Sequence, residues 1–116
     1  MVKKHFQNPK KILDQFRKKL EKKIRVQKMI LFGSYARGTP RDYSDIDVAV
    51  ISPDFKGDSM KDGLLLDQTA CEVTSLIEPF PYRPEDLRHV KPGQFLAEIL
   101  RTGKVIYTRS SFAKLS

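Results

Sequence analysis

The chain is poor in the features that staple or span. Cys71 is its only cysteine among 116 residues, so an internal disulfide and a cysteine-rich metal site are both excluded. A reducing cytoplasm is the simplest compartment for such a sequence. No apolar run approaches the roughly 20 residues needed to cross a bilayer. The N-terminus, MVKKHFQNPKK, is basic but lacks the apolar stretch of a signal peptide. Internal repeats and low-complexity segments are also lacking. What remains is 40% hydrophobic and 31% charged residues, the composition of a globular protein. The length predicts one domain over residues 1–116.

Charge is distributed unevenly. The net charge is +8, yet residues 1–28 hold eleven Lys/Arg against Asp14 and Glu21, and the rest of the chain is close to neutral. Such a segment suits a polyanion, either nucleic acid or an acidic partner. A solvated helix face accounts for the same lysines, and no aromatic residues interleave them in a stacking pattern. His5, in this basic arm, and His89, in a turn, are both assigned to the surface.

Asn8-Pro9 reads as a helix start, with Asn as cap and Pro in the first turn. Leu13, Phe16, Leu20 and Ile24 follow on one stripe, which predicts a helix over 9–23. Val26–Phe32 (VQKMILF) reads as a buried strand that Gly33 stops. A short helical segment follows near Tyr35–Arg37, then a polar loop to Ser44. Asp45–Ile51 (DIDVAVI) reads as a second strand. A helix is expected over 59–73, with Met60, Leu64, Leu65, Ala70 and Cys71 as its apolar set. Thr74–Phe80 reads as a third strand, and its Pro79 suggests an edge position or a strand end. Pro81 and Pro84 suggest an extended turn. A helix over 92–101, with Phe95, Leu96, Ile99 and Leu100 inward, leads to Gly103 and a last strand, Val105–Tyr107. The tail from Thr108 is expected to fray. The alternation predicts an α/β or α+β domain, a sheet with helices packed on it.

The chemistry concentrates in GSYARGTPRDYSDIDVAV, residues 33–50. Asp45 and Asp47 are two apart on a strand, so they project to one side, about 6.6 Å apart along it. Two such carboxylates repel unless a cation lies between them, and hard divalent ions favour oxygen ligands. Gly33 lets a phosphate approach the backbone, and Ser34 offers a hydroxyl where the first amides of a helix are unpaired. Arg37 and Arg41 suit phosphate contacts or ion pairs with the acids.

Together, GSYARG and SDIDV resemble the signature of the minimal nucleotidyltransferases, in the DNA polymerase β-like superfamily. The resemblance runs nearly complete across residues 33–48. It implies the nucleotidyltransferase fold, a small mixed β-sheet flanked by helices. It also implies two Mg²⁺ ions on Asp45 and Asp47, with the triphosphate of a nucleoside triphosphate at Gly33 and Ser34. The superfamily uses a third carboxylate on a later strand. Glu78 fits, in an acid-Pro-x-Pro-Tyr stretch similar to that of many relatives. Glu72 and Asp67 are the alternatives, on an expected exposed helix face. The minimal members resemble antitoxins that transfer AMP from ATP to a tyrosine of a HEPN-family toxin. Two other readings remain open at this point: a non-catalytic module that neutralises a partner by contact, and a nucleic-acid-directed transferase using residues 1–28.

Overall fold

The computed structural model describes residues 8–41 and 44–109. His5 and the tail beyond Arg109 lie outside them. Helix α1 (Pro9–Leu20) begins as expected, with Asn8 Oδ1 accepting from Lys11 N–H at 3.2 Å and Pro9 in the first turn. Its stripe of Leu13, Phe16 and Leu20 is buried. The helix stops at Leu20, and residues 21–24 form a turn rather than its last turn.

Strands β1 (Lys28–Phe32) and β2 (Ile46–Ile51) are antiparallel neighbours, joined through the four-residue helix α2 (Ser34–Arg37) and the polar loop. Helix α3 (Ser59–Cys71) supplies the crossover that a parallel pair requires. Strand β3 (Ile77–Tyr82) then runs parallel to β2. Helices α4 (Pro84–Arg88) and α5 (Phe95–Thr102) lead to strand β4 (Lys104–Thr108), antiparallel to β1. The order β3-β2-β1-β4 makes a four-stranded mixed sheet with β3 at one edge.

Alternation along β2 divides the interior. Ile46, Val48 and Val50 share one face with Leu13, Phe16 and Leu20 of α1 and Leu66 and Ala70 of α3. Ala49 and Ile51 share the other with Ile30, Phe32, Leu96 and Ile99, and with Phe80 and Tyr82 packed against them. Asp45 and Asp47 have the parity of Ala49 and Ile51, so they open onto this second face.

Pro79 and Pro81 blunt the β3 edge. Ile46 N–H donates to the Leu76 carbonyl at 2.7 Å and Ser52 N–H to the Tyr82 carbonyl at 3.0 Å. Even-numbered residues of β3 therefore face β2, and the two prolines occupy positions whose N–H would point outward. An edge without those donors resists strand addition.

Further expectations need correction, the first being the third strand, which runs Ile77–Tyr82 rather than Thr74–Phe80. Residues 59–73 are helical to Cys71, but the buried face is Asp62, Leu66, Thr69 and Ala70, while Met60 and Leu64 are exposed. The polar pair is buried because it is satisfied. The Asp62 carboxylate accepts from Lys56 N–H and Gly57 N–H, both at 3.0 Å, and the Thr69 hydroxyl donates to the Leu65 carbonyl at 2.8 Å. Pro81 and Pro84 do not form an extended turn: Pro81 lies inside β3. Pro84 opens α4, and Asp86 accepts from Arg83 N–H at 2.7 Å to hold the helix start. Helix α5 starts at Phe95 rather than Pro92, and Phe95 and Leu100 point outward. No helix among the described residues is long and apolar enough to cross a membrane.

Candidate active site

The acids meet because of strand register. Phe32 on β1, Asp47 on β2 and Glu78 on β3 are successive partners across the sheet. Sharing one parity, they lie on one face, with Asp45 just before β2 on the same side. The parallel β2–β3 pair is thus what brings Glu78 beside Asp47, from 31 residues further along the chain. A cleft of about 550 Å³ opens there, lined by Gly33, Ser34, Arg37, Ser44, Asp45, Asp47 and Glu78 together with Phe32, Phe80 and the α5 residues Phe95, Glu98, Ile99 and Thr102. That volume is within the range of small-molecule sites.

Gly33 is fixed by two constraints. Its φ of 75° and ψ of −153° belong to a region that only glycine enters readily. A Cβ placed there would also overlap Asp47 Oδ2. The turn into α2 and the carboxylate on β2 are therefore packed against each other, which the sequence reading, based on phosphate approach alone, did not contain. Beyond it, Arg37 N–H donates to the Gly33 carbonyl at 3.1 Å and Thr39 N–H to the Ser34 carbonyl at 2.9 Å, closing the single turn.

Electrostatics single out Asp47. Burial, then the nearby Glu78 and Asp45 charges, push its carboxyl up to about 6, and Arg37 opposes them. Among the described residues no salt bridge reaches Asp45, Asp47 or Glu78; Arg37 acts only at longer range. Nor do the described His, Cys, Asp and Glu side chains form a tight metal-ligand cluster of three or more. The set nevertheless fits a hard cation chemically. It offers only carboxylate and hydroxyl oxygens, its charges are mutually repulsive, and it faces open cleft.

The raised Asp47 carboxyl has a consequence for stability without divalent cations. The folded state binds a proton more tightly than the unfolded chain, whose ordinary value is 3.8. Stability therefore falls as pH rises from about 4 through 6, because the native state holds more protons in that window. Urea midpoints of the cation-free protein are expected to decline across this range, and those of Asp47→Asn to decline less. Parallel profiles for the two proteins would remove Asp47 as the cause.

The other expected residues separate. Arg41 does not line the cleft; its backbone N–H donates to Ser44 Oγ at 2.6 Å and its carbonyl accepts from Ser44 N–H at 3.0 Å. Glu72 is at the end of α3, with Lys19 at 3.6 Å and Lys23 at 3.8 Å, and Asp67 is exposed on α3. Neither alternative lines the cleft. The basic helix α1 packs on the opposite face of the sheet, so its lysines do not border the acids. Sequence reasoning missed the aromatic wall. Phe32, Phe80 and Phe95 meet pairwise at 5.4–5.6 Å between ring centroids, above the small Ala49. The alternation in EPFPY already put Phe80 on the side of Glu78, but nothing local tied Phe95 to it. A second hollow of about 460 Å³ lies past Phe95, lined in part by Tyr82, Arg83, Asp86 and His89. Arg83 there pairs with Glu85 at 3.4 Å and Asp86 at 3.7 Å, and Asp45, Asp47 and Glu78 are not part of its lining.

A helical turn pinned to an Asp-x-Asp strand start, with a mixed sheet flanked by helices, defines a nucleotidyltransferase. The family described as "Polymerase beta, Nucleotidyltransferase" matches residues 14–112, and the chain belongs to it. A relative from Methanocaldococcus jannaschii, named "Putative protein adenylyltransferase MJ1305", is 34% identical over 109 residues, covering 89% of this chain and 74% of its own. Among solved structures, a toxin-antitoxin with AMP-PNP superposes with a TM-score of 0.61 at 28% identity, over 94% of this chain and 80% of that one. A mutant of the toxin-antitoxin MntA-HpeT superposes with a TM-score of 0.58 at 25% identity, over the same 94% and 80%.

Proposed function

We propose that this nucleotidyltransferase moves AMP from ATP to a protein hydroxyl, a tyrosine of a HEPN-family toxin, and acts as that toxin's antitoxin. The observation that carries the chemistry is the register that sets Glu78 beside Asp47 in the cleft bounded by Gly33 and Ser34. The adenylyltransferase name of the 34% identical relative and the toxin-antitoxin neighbours support the donor and the biological setting.

In the reaction, the acceptor oxygen bonds to the α-phosphorus of ATP. The bond from that phosphorus to the oxygen bridging the β-phosphate breaks, and pyrophosphate leaves. Gly33, Ser34 and Arg37 hold the triphosphate. Asp45, Asp47 and Glu78 would hold the two Mg²⁺ ions, whose chemistry would be polarisation of the hydroxyl and charge neutralisation for the leaving group. Glu78, exposed in the cleft as Asp45 is, would accept the hydroxyl proton. A basic helix on the opposite face gives little support to delivery of a nucleic-acid acceptor.

The test mixes the purified chain with the product of the adjacent gene, Mg²⁺ and ATP labelled at the α-phosphate. Label is expected on that product, and loss of the label when its modified tyrosine becomes phenylalanine. No transfer and no complex would remove the toxin-directed reading.

A further inference from the structure

We infer that Phe95 is the platform on which the nucleobase of the donor stacks, an assignment that rests on the nucleotidyl-transfer reading above. Phe95 is exceptional among the described phenylalanines. Phe16, Phe32 and Phe55 are buried and Phe80 is half-buried, whereas 54% of Phe95 is exposed.

The ring is open yet held. Phe32 meets it edge-on at 5.6 Å with an interplanar angle of 78°, and Phe80 lies at 5.6 Å and 58°. Ala49, the register partner of both Ile30 and Phe80, leaves the space in which the three rings converge. Two neighbours thus fix the orientation of Phe95, so a ligand stacking on its free surface gives up little side-chain freedom to do so.

Its position suits a base. Phe32 is the register partner of Asp47, so the aromatic group begins immediately beside the carboxylates that would hold the metal ions. Phe95 lines the same cleft as Gly33, Ser34, Asp45, Asp47 and Glu78, and also borders the second hollow. The polar residues next to it on α5 are already engaged. Glu98 takes Arg101 at 2.6 and 2.8 Å, and the Thr102 hydroxyl donates to the Glu98 carbonyl at 2.8 Å. This wall therefore recognises a π-face more readily than a hydrogen-bonding edge. Stacking on an aromatic side chain accepts any base, and its strength predicts a loss of about 5- to 150-fold when the ring is removed.

The experiment compares two ligands by calorimetry, both with Mg²⁺ and without acceptor. ATP carries a base; inorganic tripolyphosphate does not. In Phe95→Ala, ATP affinity is expected to fall about 5- to 150-fold, with tripolyphosphate unchanged within about twofold. Phe95→Leu keeps the apolar bulk but not the ring face, and is expected to behave like Phe95→Ala. Phe95→Trp is expected to bind ATP as the wild type does. Equal loss of both ligands, or wild-type ATP affinity in Phe95→Leu, would overturn the stacking role while leaving nucleotidyl transfer standing. A wild-type protein that binds neither ligand would remove both readings at once.

Discussion

Replacing Asp45 and Asp47 together by asparagine is expected to lower Mg²⁺-dependent pyrophosphate release by about a thousandfold or more. The size follows from the metal-holding role proposed for the pair. Charge stabilisation by bound metal is worth several kcal/mol at a phosphoryl centre, and each 1.36 kcal/mol is tenfold in rate. Asparagine keeps the shape but not the charge, so the fold should survive. The side effect is diagnostic. Asp47 sits with its proton affinity raised by burial and by Glu78 and Asp45, so the carboxylates strain the cation-free fold at neutral pH. The double variant should therefore be more stable than wild type without Mg²⁺, and should lose the stabilisation that Mg²⁺ and ATP confer on wild type. Thermal melts with and without Mg²⁺ and ATP, alongside a pyrophosphate assay, measure all three. Wild-type turnover in the double variant would contradict the metal assignment.

Gly33→Ala should have the second largest effect. The backbone conformation, φ 75° and ψ −153°, costs a non-glycine residue on the order of 1–3 kcal/mol. The new methyl group would also overlap the Asp47 carboxylate, so either the turn or the acid must move. A shift of about 1 Å in a catalytic group can cost a hundredfold in rate, so turnover should drop by about that factor. Gly38→Ala separates the two causes. Gly38 has φ 74°, but a Cβ there meets nothing within 4 Å. It should lower the urea midpoint while leaving turnover near wild type. Equal turnover losses in the two variants would show that backbone strain, and not displacement of Asp47, is responsible.

The elements whose signals are local were legible in the chain. Asn8-Pro9 and the stripe of Leu13, Phe16 and Leu20 define α1 without reference to anything else. DIDVAVI reads as a strand opening on two acids, and of the two places Pro79 suggested, an edge or a strand end, the sheet has the edge. The cleft was legible in its parts. Gly33, Ser34, Arg37, Asp45, Asp47 and Glu78 do line one space. Their meeting rests on the β2–β3 register, which is set across the α3 crossover and has no local signature. Where the reading went astray, tertiary context outweighed pattern. Counting apolar residues on α3 put Met60 and Leu64 inside, because an aspartate and a threonine with satisfied hydrogen bonds look polar in sequence. Arg41 seemed close to the acids along the chain, but the turn it forms with Ser44 keeps it out of the cleft lining. Phe95 looked like core because its helix is amphipathic, yet it is half-exposed while its ring packs against Phe32 and Phe80.

The central claim is that the cleft breaks the bond between the α- and β-phosphates of its donor. It is tested most directly by incubating the wild-type protein, its acceptor and Mg²⁺ with ATP labelled either at the α- or at the γ-phosphate. Nucleotidyl transfer places the α-label on the acceptor and releases the γ-label as pyrophosphate. The γ-label on the acceptor, with release of ADP, would contradict it.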